Sequence, residues 1–285
     1  MSPVLVFNAG SATLKYRLFD ADGQGPGGVV EHIGEPGGPA DHRAAVGPAL
    51  ASLPHTTPAA IGHRVVHGGD SVRAAVRIDD TVEATIARWA PLAPAHNPAA
   101  LAVIAAARSA FPGITQFAVF DTAFHATLAP EATTYALDRG VAAEYGLRRY
   151  GFHGISVRYV RDRAAKLLGR PADELNMIVL HLGNGASATA LAGGASVDTS
   201  MGLSPLAGLV MGTRSGDIDP EITFELARRG WHLDDIDDLY QHRGGLAGLC
   251  GDNDMRRVQD RAAGGDPAAG LALDVYCRRI KQYVG

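Results

Sequence analysis

The sequence predicts an α/β chain in which one structural unit occurs twice, and three observations carry that prediction. Short apolar runs at 60–66 and 116–120 alternate with helical patterns at 80–89 and 99–109, the alternation of a sheet flanked by helices. A strand, a glycine turn and a returning strand open the chain and recur when Asn8 is set on His181, an offset of 173 residues. A length of 285 residues suits two domains of about 150 residues each, placed at 1–125 and 126–285 and expected to face each other.

Each element follows from its local pattern. Val4, Leu5, Val6 and Phe7 form a buried strand, Asn8-Ala9-Gly10-Ser11 a turn, and 13–19 a returning strand of alternating polar and apolar residues. Gly, Pro and Asp dominate 20–40, which predicts loops around one short strand at 29–33. A helical pattern at 41–53 is weakened by Gly47-Pro48. In the second half 177–180 is a buried strand, His181-Leu182-Gly183-Asn184-Gly185 a tight turn, and 186–191 a returning strand closed by Gly193-Gly194. Helices are expected at 156–168, 254–263 and 267–283, and Asp217 and Asp219 before Pro220 read as a helix cap. No closing strand follows the last helix, so the second domain is expected to be incomplete and that helix poorly supported.

Composition excludes several classes. Hydrophobic residues make up 46% and charged residues 20%, which supports packed cores rather than disorder. Lys+Arg 26 against Asp+Glu 30 gives a net charge of −4, so no nucleic-acid partner is advertised and any anion site must be local. Two cysteines, Cys250 and Cys277, form neither a disulfide framework nor a zinc motif. No run reaches the ~18 apolar residues of a membrane helix, and no basic leader precedes the first strand, so a cytoplasmic protein without a membrane partner is expected. Lysine supplies three of the 26 basic residues, and of Lys15, Lys166 and Lys281 only Lys15 adjoins a Gly/Ser turn.

Glycine turns let backbone N–H groups approach a phosphate, and both hairpins qualify. Residues 183–188 also fit G-x-G-x-x-A, but a strand rather than a helix follows, which argues against a dinucleotide site; a P-loop motif is absent. Arg64 in Gly62-His63-Arg64-Val65-Val66-His67-Gly68-Gly69 and Arg214 in Met211-Gly212-Thr213-Arg214-Ser215-Gly216-Asp217 sit among small residues that leave a guanidinium fork open for a phosphoryl or carboxylate group. A surface salt bridge is the plainer alternative for either. His153 lies between glycines in Tyr150-Gly151-Phe152-His153-Gly154, and Asp121 ends an apolar strand, where α/β sheets place ligands. A satisfied structural histidine and a helix cap remain open for these two.

Taken together, Asn8-Ala9-Gly10-Ser11 and the segments 62–69, 93–98, 120–125, 150–154, 181–185, 198–202 and 212–220 resemble the acetate kinase family, in that family's order and over nearly the whole chain. The resemblance implies duplicated ribonuclease-H-like, actin-like ATPase domains with an interdomain active-site cleft, the first N-terminal and the second nucleotide-binding. It implies reversible phosphoryl transfer between ATP and acetate, giving ADP and acetyl phosphate, with Mg²⁺ or Mn²⁺ and a homodimer; a propionate or short-chain acyl kinase and a non-catalytic phosphate- or nucleotide-binding remnant are the alternatives.

By the same resemblance Asn8 is a metal or phosphate ligand, Lys15 a nucleotide contact, Arg64 a carboxylate and phosphoryl ligand, and Asp121 an acid/base or positioning carboxylate. His153 and Arg214 match transition-state stabilisers. His181, Leu182, Gly183, Asn184 and Gly185 match the phosphate loop, while Asp254, Met255 and Arg256 match a segment beside adenosine. Val66, Phe152 and Pro205 match a pocket for the acetate methyl, and His96 a phosphoryl contact. Because acetate is already ionised near pH 7, Asp121 is expected to position rather than deprotonate. Ala95 stands where the family often carries leucine, which predicts tolerance of propionate. The family also continues past the position matching Gly285 with an adenosine loop and a metal-holding glutamate, so the 285-residue chain by itself is expected to turn over poorly.

Overall fold

A computed structural model describes residues 3–20, 23 and 25–285; positions 21, 22 and 24 of the loop expected over 20–40 lie outside them. The chain divides into two compact units, Met1–Ala126 and Thr127–Gly285.

In the first unit β1 (Val4–Ala9) and β2 (Leu14–Phe19) form the expected hairpin, with β3 (Gly27–Val30) on its outer edge. After α1 (His42–Ala51), the strand β4 (Ala60–Val65) pairs in parallel with β1. A short β5 (Val76–Arg77), α2 (Asp80–Arg88), α3 (Asn97–Ala110) and β6 (Gln116–Phe120) complete a six-stranded sheet of order β3-β2-β1-β4-β6-β5. Alternation decides which face is covered: Leu5 and Phe7 of β1, Leu14, Tyr16 and Leu18 of β2, and Ile61 of β4 pack with Ala45, Val46 and Ala49 of α1 and with Ala99, Val103 and Ala107 of α3. Each large side chain so buried contributes roughly 1.5–3 kcal/mol.

Two expectations are corrected here. The third strand spans Gly27–Val30 rather than 29–33, because Gly28 lets the strand pass against the Tyr16 ring, where a Cβ would strike the phenol. The helix at α1 runs through Pro48. Its start is capped by Asp41, which accepts from Ala44 N–H at 2.7 Å, and its buried face outweighs the one hydrogen bond that proline removes.

Beneath the sheet His63 is 2% exposed, stacks on Phe7 with ring centroids 5.7 Å apart, and shares a 2.6 Å hydrogen bond between Nε2 and Gln116 Oε1. Burial disfavours its charged form and lowers its pKa to about 4, with the Gln116 bond opposing and Arg108 assisting the shift. In the unfolded chain the ring titrates near its ordinary 6.5, so between those values the unfolded state binds more protons and stability falls as pH falls. We expect roughly 3 kcal/mol of stability to be lost from this group across that window. Urea unfolding at pH 7 and pH 4.5 checks it: His63→Leu should lose much less stability than the native chain on acidification, and equal losses would remove His63 as the cause.

The second unit begins with α4 (Pro130–Thr133), α5 (Arg139–Tyr145) and α6 (Gly154–Leu168). Its sheet of order β7-β8-β9 consists of β7 (Met177–Leu182), β8 (Ala186–Ala192) and β9 (Ala195–Thr199). The 173-residue offset carries all six positions of β1 onto β7. His181 and Leu182 therefore end a strand instead of opening the turn, which narrows to Gly183, Asn184 and Gly185. Positive φ at Gly193 and Gly194, 54° and 69°, reverses the chain into the unanticipated β9. Whereas β1 has β2 and β4 as neighbours, β7 pairs with β8 alone among the described residues and leaves Ile178, Leu180 and Leu182 exposed.

Helices α7 (Glu221–Arg228), α8 (Leu233–Gln241), α9 (Gly245–Cys250), α10 (Met255–Ala263) and α11 (Pro267–Val284) follow. The last is not unsupported: Ala269, Ala272 and Tyr276 pack with Val210, Leu246, Cys250 and Val258. Asp217 is not a cap. Its Oδ1 accepts from Gly208 N–H at 2.7 Å, and its other oxygen accepts from Tyr283 of α11. Asp219 does cap the turn before α7, accepting from Glu221 N–H at 2.9 Å. No helix among the described residues is long and apolar enough to cross a membrane.

Candidate active site

In the first unit parallel pairing sets Asn8 of β1 directly beside Arg64 of β4, and the chain leaving β6 brings in Asp121. Arg64 Nε donates to both Asp121 oxygens at 3.1 and 3.2 Å, Nη2 donates to Oδ2 at 2.6 Å, and Nη1 donates to Asn8 Oδ1 at 3.0 Å. Five N–H groups belong to a guanidinium, so one on each terminal nitrogen stays open, a fork for an oxyanion. Burial works against the Arg64 charge, but the Asp121 carboxylate more than compensates and holds its pKa above the usual value. Asp121 is 1% exposed. It is an ion-pair partner here rather than the helix cap left open by the sequence.

Around this centre the other expected residues have mixed placements. Val66 is buried immediately after β4, and Asn97 of α3 rivets the next residue by accepting from His67 N–H at 3.1 Å and donating to its carbonyl at 2.9 Å. His96 precedes α3 and is half-buried; Ala95 is exposed. Lys15 is exposed on β2, paired with Asn8, and the two share a shallow groove of about 320 Å³ with Arg17, Tyr16 and Val29.

In the second unit the Gly183 to Gly185 turn closes through Gly183 N–H donating to the Gly185 carbonyl at 3.1 Å. Gly212 N–H donates to the Asn184 carbonyl at 2.9 Å, and a Cβ on Gly212 would collide with the Asn184 amide. That contact ties the turn to the loop that carries Arg214. His153 precedes α6 with φ 61°, a left-handed backbone unusual for a residue with a side chain. Its ring stacks on His181 at 4.0 Å between centroids. A Cβ on Gly185 would sit 3.5 Å from His153 Nε2 and 3.6 Å from Arg214 Nη1, so both side chains converge on the turn.

Arg214 differs from Arg64 in one decisive respect. Among the described residues it has no carboxylate partner, its hydrogen bond being a long one of 3.4 Å from Nη1 to the Pro205 carbonyl. Burial pulls its pKa down, the mark of a cation left short of counter-charge and suited to an incoming anion. Phe152 is fully buried and Pro205 half-buried. Asp254 caps α10 and is held down to about 2 by the Arg256 guanidinium, and Met255 opens that helix. Ser187 and Ser156, bonded to the two histidines, had no distinguishing signal in the sequence: Ser187 lay inside a fingerprint rejected for its context, and a strand does follow there.

The model of the Acetokinase family matches residues 39–285. The chain belongs to the acetokinase family. It is 52% identical to an acetate kinase of Clavibacter michiganensis subsp. michiganensis, covering 100% of this chain and 78% of the relative, and 49% identical to one of Streptomyces coelicolor, covering 99% and 76%. Among solved structures it is similar to Porphyromonas gingivalis acetate kinase and to a propionate kinase from Francisella tularensis, each with a TM-score of 0.91, 38% identity, and coverage of 100% of this chain and 79% of that one.

The duplicated α/β, actin-like fold and the acetate kinase activity that the resemblance implies therefore stand: the reaction transfers a phosphoryl group between ATP and acetate. Family membership brings ATP and ADP as substrates and typically a divalent metal. No group of three or more His, Cys, Asp or Glu suited to a metal ion occurs among the described residues. Asp121 spends most of its oxygen lone pairs on Arg64, and Asn8 spends one of the two on its amide oxygen. Those donors fit only a cation that arrives largely liganded by phosphate and water, the usual habit of Mg²⁺ at kinase sites.

Proposed function

We propose that the two oxyanion-binding centres divide the reaction between them. Arg64, pinned by Asp121 and Asn8, offers its two open N–H groups to the acetate carboxylate or the phosphoryl group, while Arg214, His153 and the Gly183 to Gly185 turn take the nucleotide phosphates. The observation that carries this reading is Arg214, a half-buried guanidinium beside a glycine turn with no carboxylate partner among the described residues. A transferring phosphoryl group spreads charge over its equatorial oxygens and needs positioned cations more than covalent help. The attacking carboxylate carries its own negative charge, so no base is required. Asp121 then serves to orient Arg64. Mg²⁺, held by the phosphates with Asn8 or Asp121 as a minor ligand, would neutralise charge on the transferring group.

In the same reading the units correspond to an N-terminal ribonuclease-H-like domain and a nucleotide-binding domain. Lys15 and the segment of Asp254, Met255 and Arg256 contact the nucleotide, and His96 the phosphoryl group. Val66, Phe152 and Pro205 limit the acyl pocket. A cytoplasmic homodimer completes it, with the exposed Leu137, Val141 and Tyr145 as apolar surface for a partner copy to bury. Acetate-dependent formation of ADP by the purified protein tests the function, and ATP turnover indifferent to acetate would overturn it.

Ala95 adds no bulk to the acyl side, and a hydrophobic pocket discriminates one methylene by at most ~1–3 kcal/mol. We expect kcat/KM for propionate to fall within about a hundredfold of that for acetate. A thousandfold gap would mean that another side chain closes the pocket.

A further inference from the structure

Each imidazole of the second unit is tethered from behind by a serine, and the two tethers cross. Ser187 of β8 has its Oγ 2.9 Å from Nδ1 of His153, the residue before α6. Ser156 of α6 has its Oγ 2.9 Å from Nδ1 of His181 at the end of β7. The β7–β8 hairpin and the start of α6 each hold the ring that the other carries, and the rings stack at 26° between planes.

Burial constrains the direction of the Ser187 bond; Ser156 is half-buried, and its bond to His181 is assigned the same direction by analogy. Ser187 has no exposed surface. Were its hydroxyl to accept from Nδ1–H, the hydroxyl proton would be enclosed without an acceptor among the described residues, a costly arrangement for a buried donor. Donation from Oγ–H to Nδ1 avoids that cost and leaves the ring proton on Nε2, the atom that lies near Gly185. Protonating both nitrogens of both rings would instead set two imidazolium charges 4.0 Å apart beside Arg214. We infer that Ser187 and Ser156 are positioning residues that hold His153 and His181 as Nε2–H tautomers, so that both rings present an N–H donor to the transferring phosphoryl group without a second ring proton. The inference deepens the proposed division of the reaction and rests on it for the identity of the anion.

Long-range ¹H–¹⁵N correlation spectra of the labelled protein, with the two rings identified from His153→Gln and His181→Gln, read the tautomers directly. The expected result is Nε2–H at both rings, with Ser187→Ala and Ser156→Ala shifting the matching ring toward Nδ1–H or a mixture. In each alanine variant kcat should fall by about tenfold to a hundredfold, the scale for removing a partner that orients a ligating histidine, with KM for acetate nearly unchanged. Ser156→Thr, which keeps the hydroxyl, should behave as the parent protein. Nδ1–H in the unaltered protein would overturn the inference even if the alanine variants failed to fold, and so would alanine variants with unchanged tautomers. The spectra need neither acetate nor ATP, so failure of the acetate kinase reading would show as ATP turnover indifferent to acetate with both tautomers in place.

Discussion

Arg214→Ala should lower kcat by on the order of 10³ or more, the scale known for an arginine that stabilises a phosphoryl-transfer transition state. Because its guanidinium has no carboxylate partner among the described residues, removing it should strand no buried anion and cost little stability. Arg214→Lys should recover little activity, since an ammonium lacks the planar fork. Steady-state kinetics with ATP and acetate, alongside thermal unfolding of the same variant, separate the two effects. Turnover within tenfold of the native chain would end the assignment of Arg214 as a phosphoryl clamp.

Arg64→Ala should fail in a different way. Asp121 is 1% exposed and depends on Arg64 for its compensating charge, so truncating the arginine leaves a buried carboxylate unpaired at a cost of about 3–5 kcal/mol. Activity and stability should fall together. Replacing the pair with apolar residues, Arg64→Met with Asp121→Leu, should restore most of the stability and none of the activity. Urea unfolding of the single and double variants checks this. A single variant as stable as the native chain would show that Asp121 finds its compensation elsewhere.

Legibility from the sequence followed the physics of each element. Hairpins with strict alternation, such as β2 with Leu14, Tyr16 and Leu18 buried, declare themselves because one face is dry and the other wet. Long helices with several core positions, such as α3, do so by their 3.6-residue period. The short helices α5 and α7 bury no residue and α8 buries Ile236 alone; α8 does carry Leu233, Ile236, Leu239 and Tyr240 at helical spacing, but over so few turns the period is a weak signal. Pro48 weakened an expected helix that the structure does form, because proline is costly in an isolated helix whereas α1 gains its stability from packing on the sheet.

At the candidate site the chemistry of each residue was visible one at a time: an arginine among glycines, an aspartate at a strand end, a histidine before a helix. By itself the sequence determined the repeated hairpin, the residue types able to hold phosphate, and the family. Which groups meet was decided by tertiary structure. The parallel register of β1 and β4 puts Asn8 against Arg64, and the return of β6 adds Asp121, which turns three separate candidates into one charge-balanced clamp. Arg64 and Arg214 have similar local sequences, and only the fold gives one a carboxylate and leaves the other with none among the described residues. The reason is that hydrogen bonds and ion pairs depend on distances of about 3 Å between residues far apart in the chain, and local sequence carries no information about those distances.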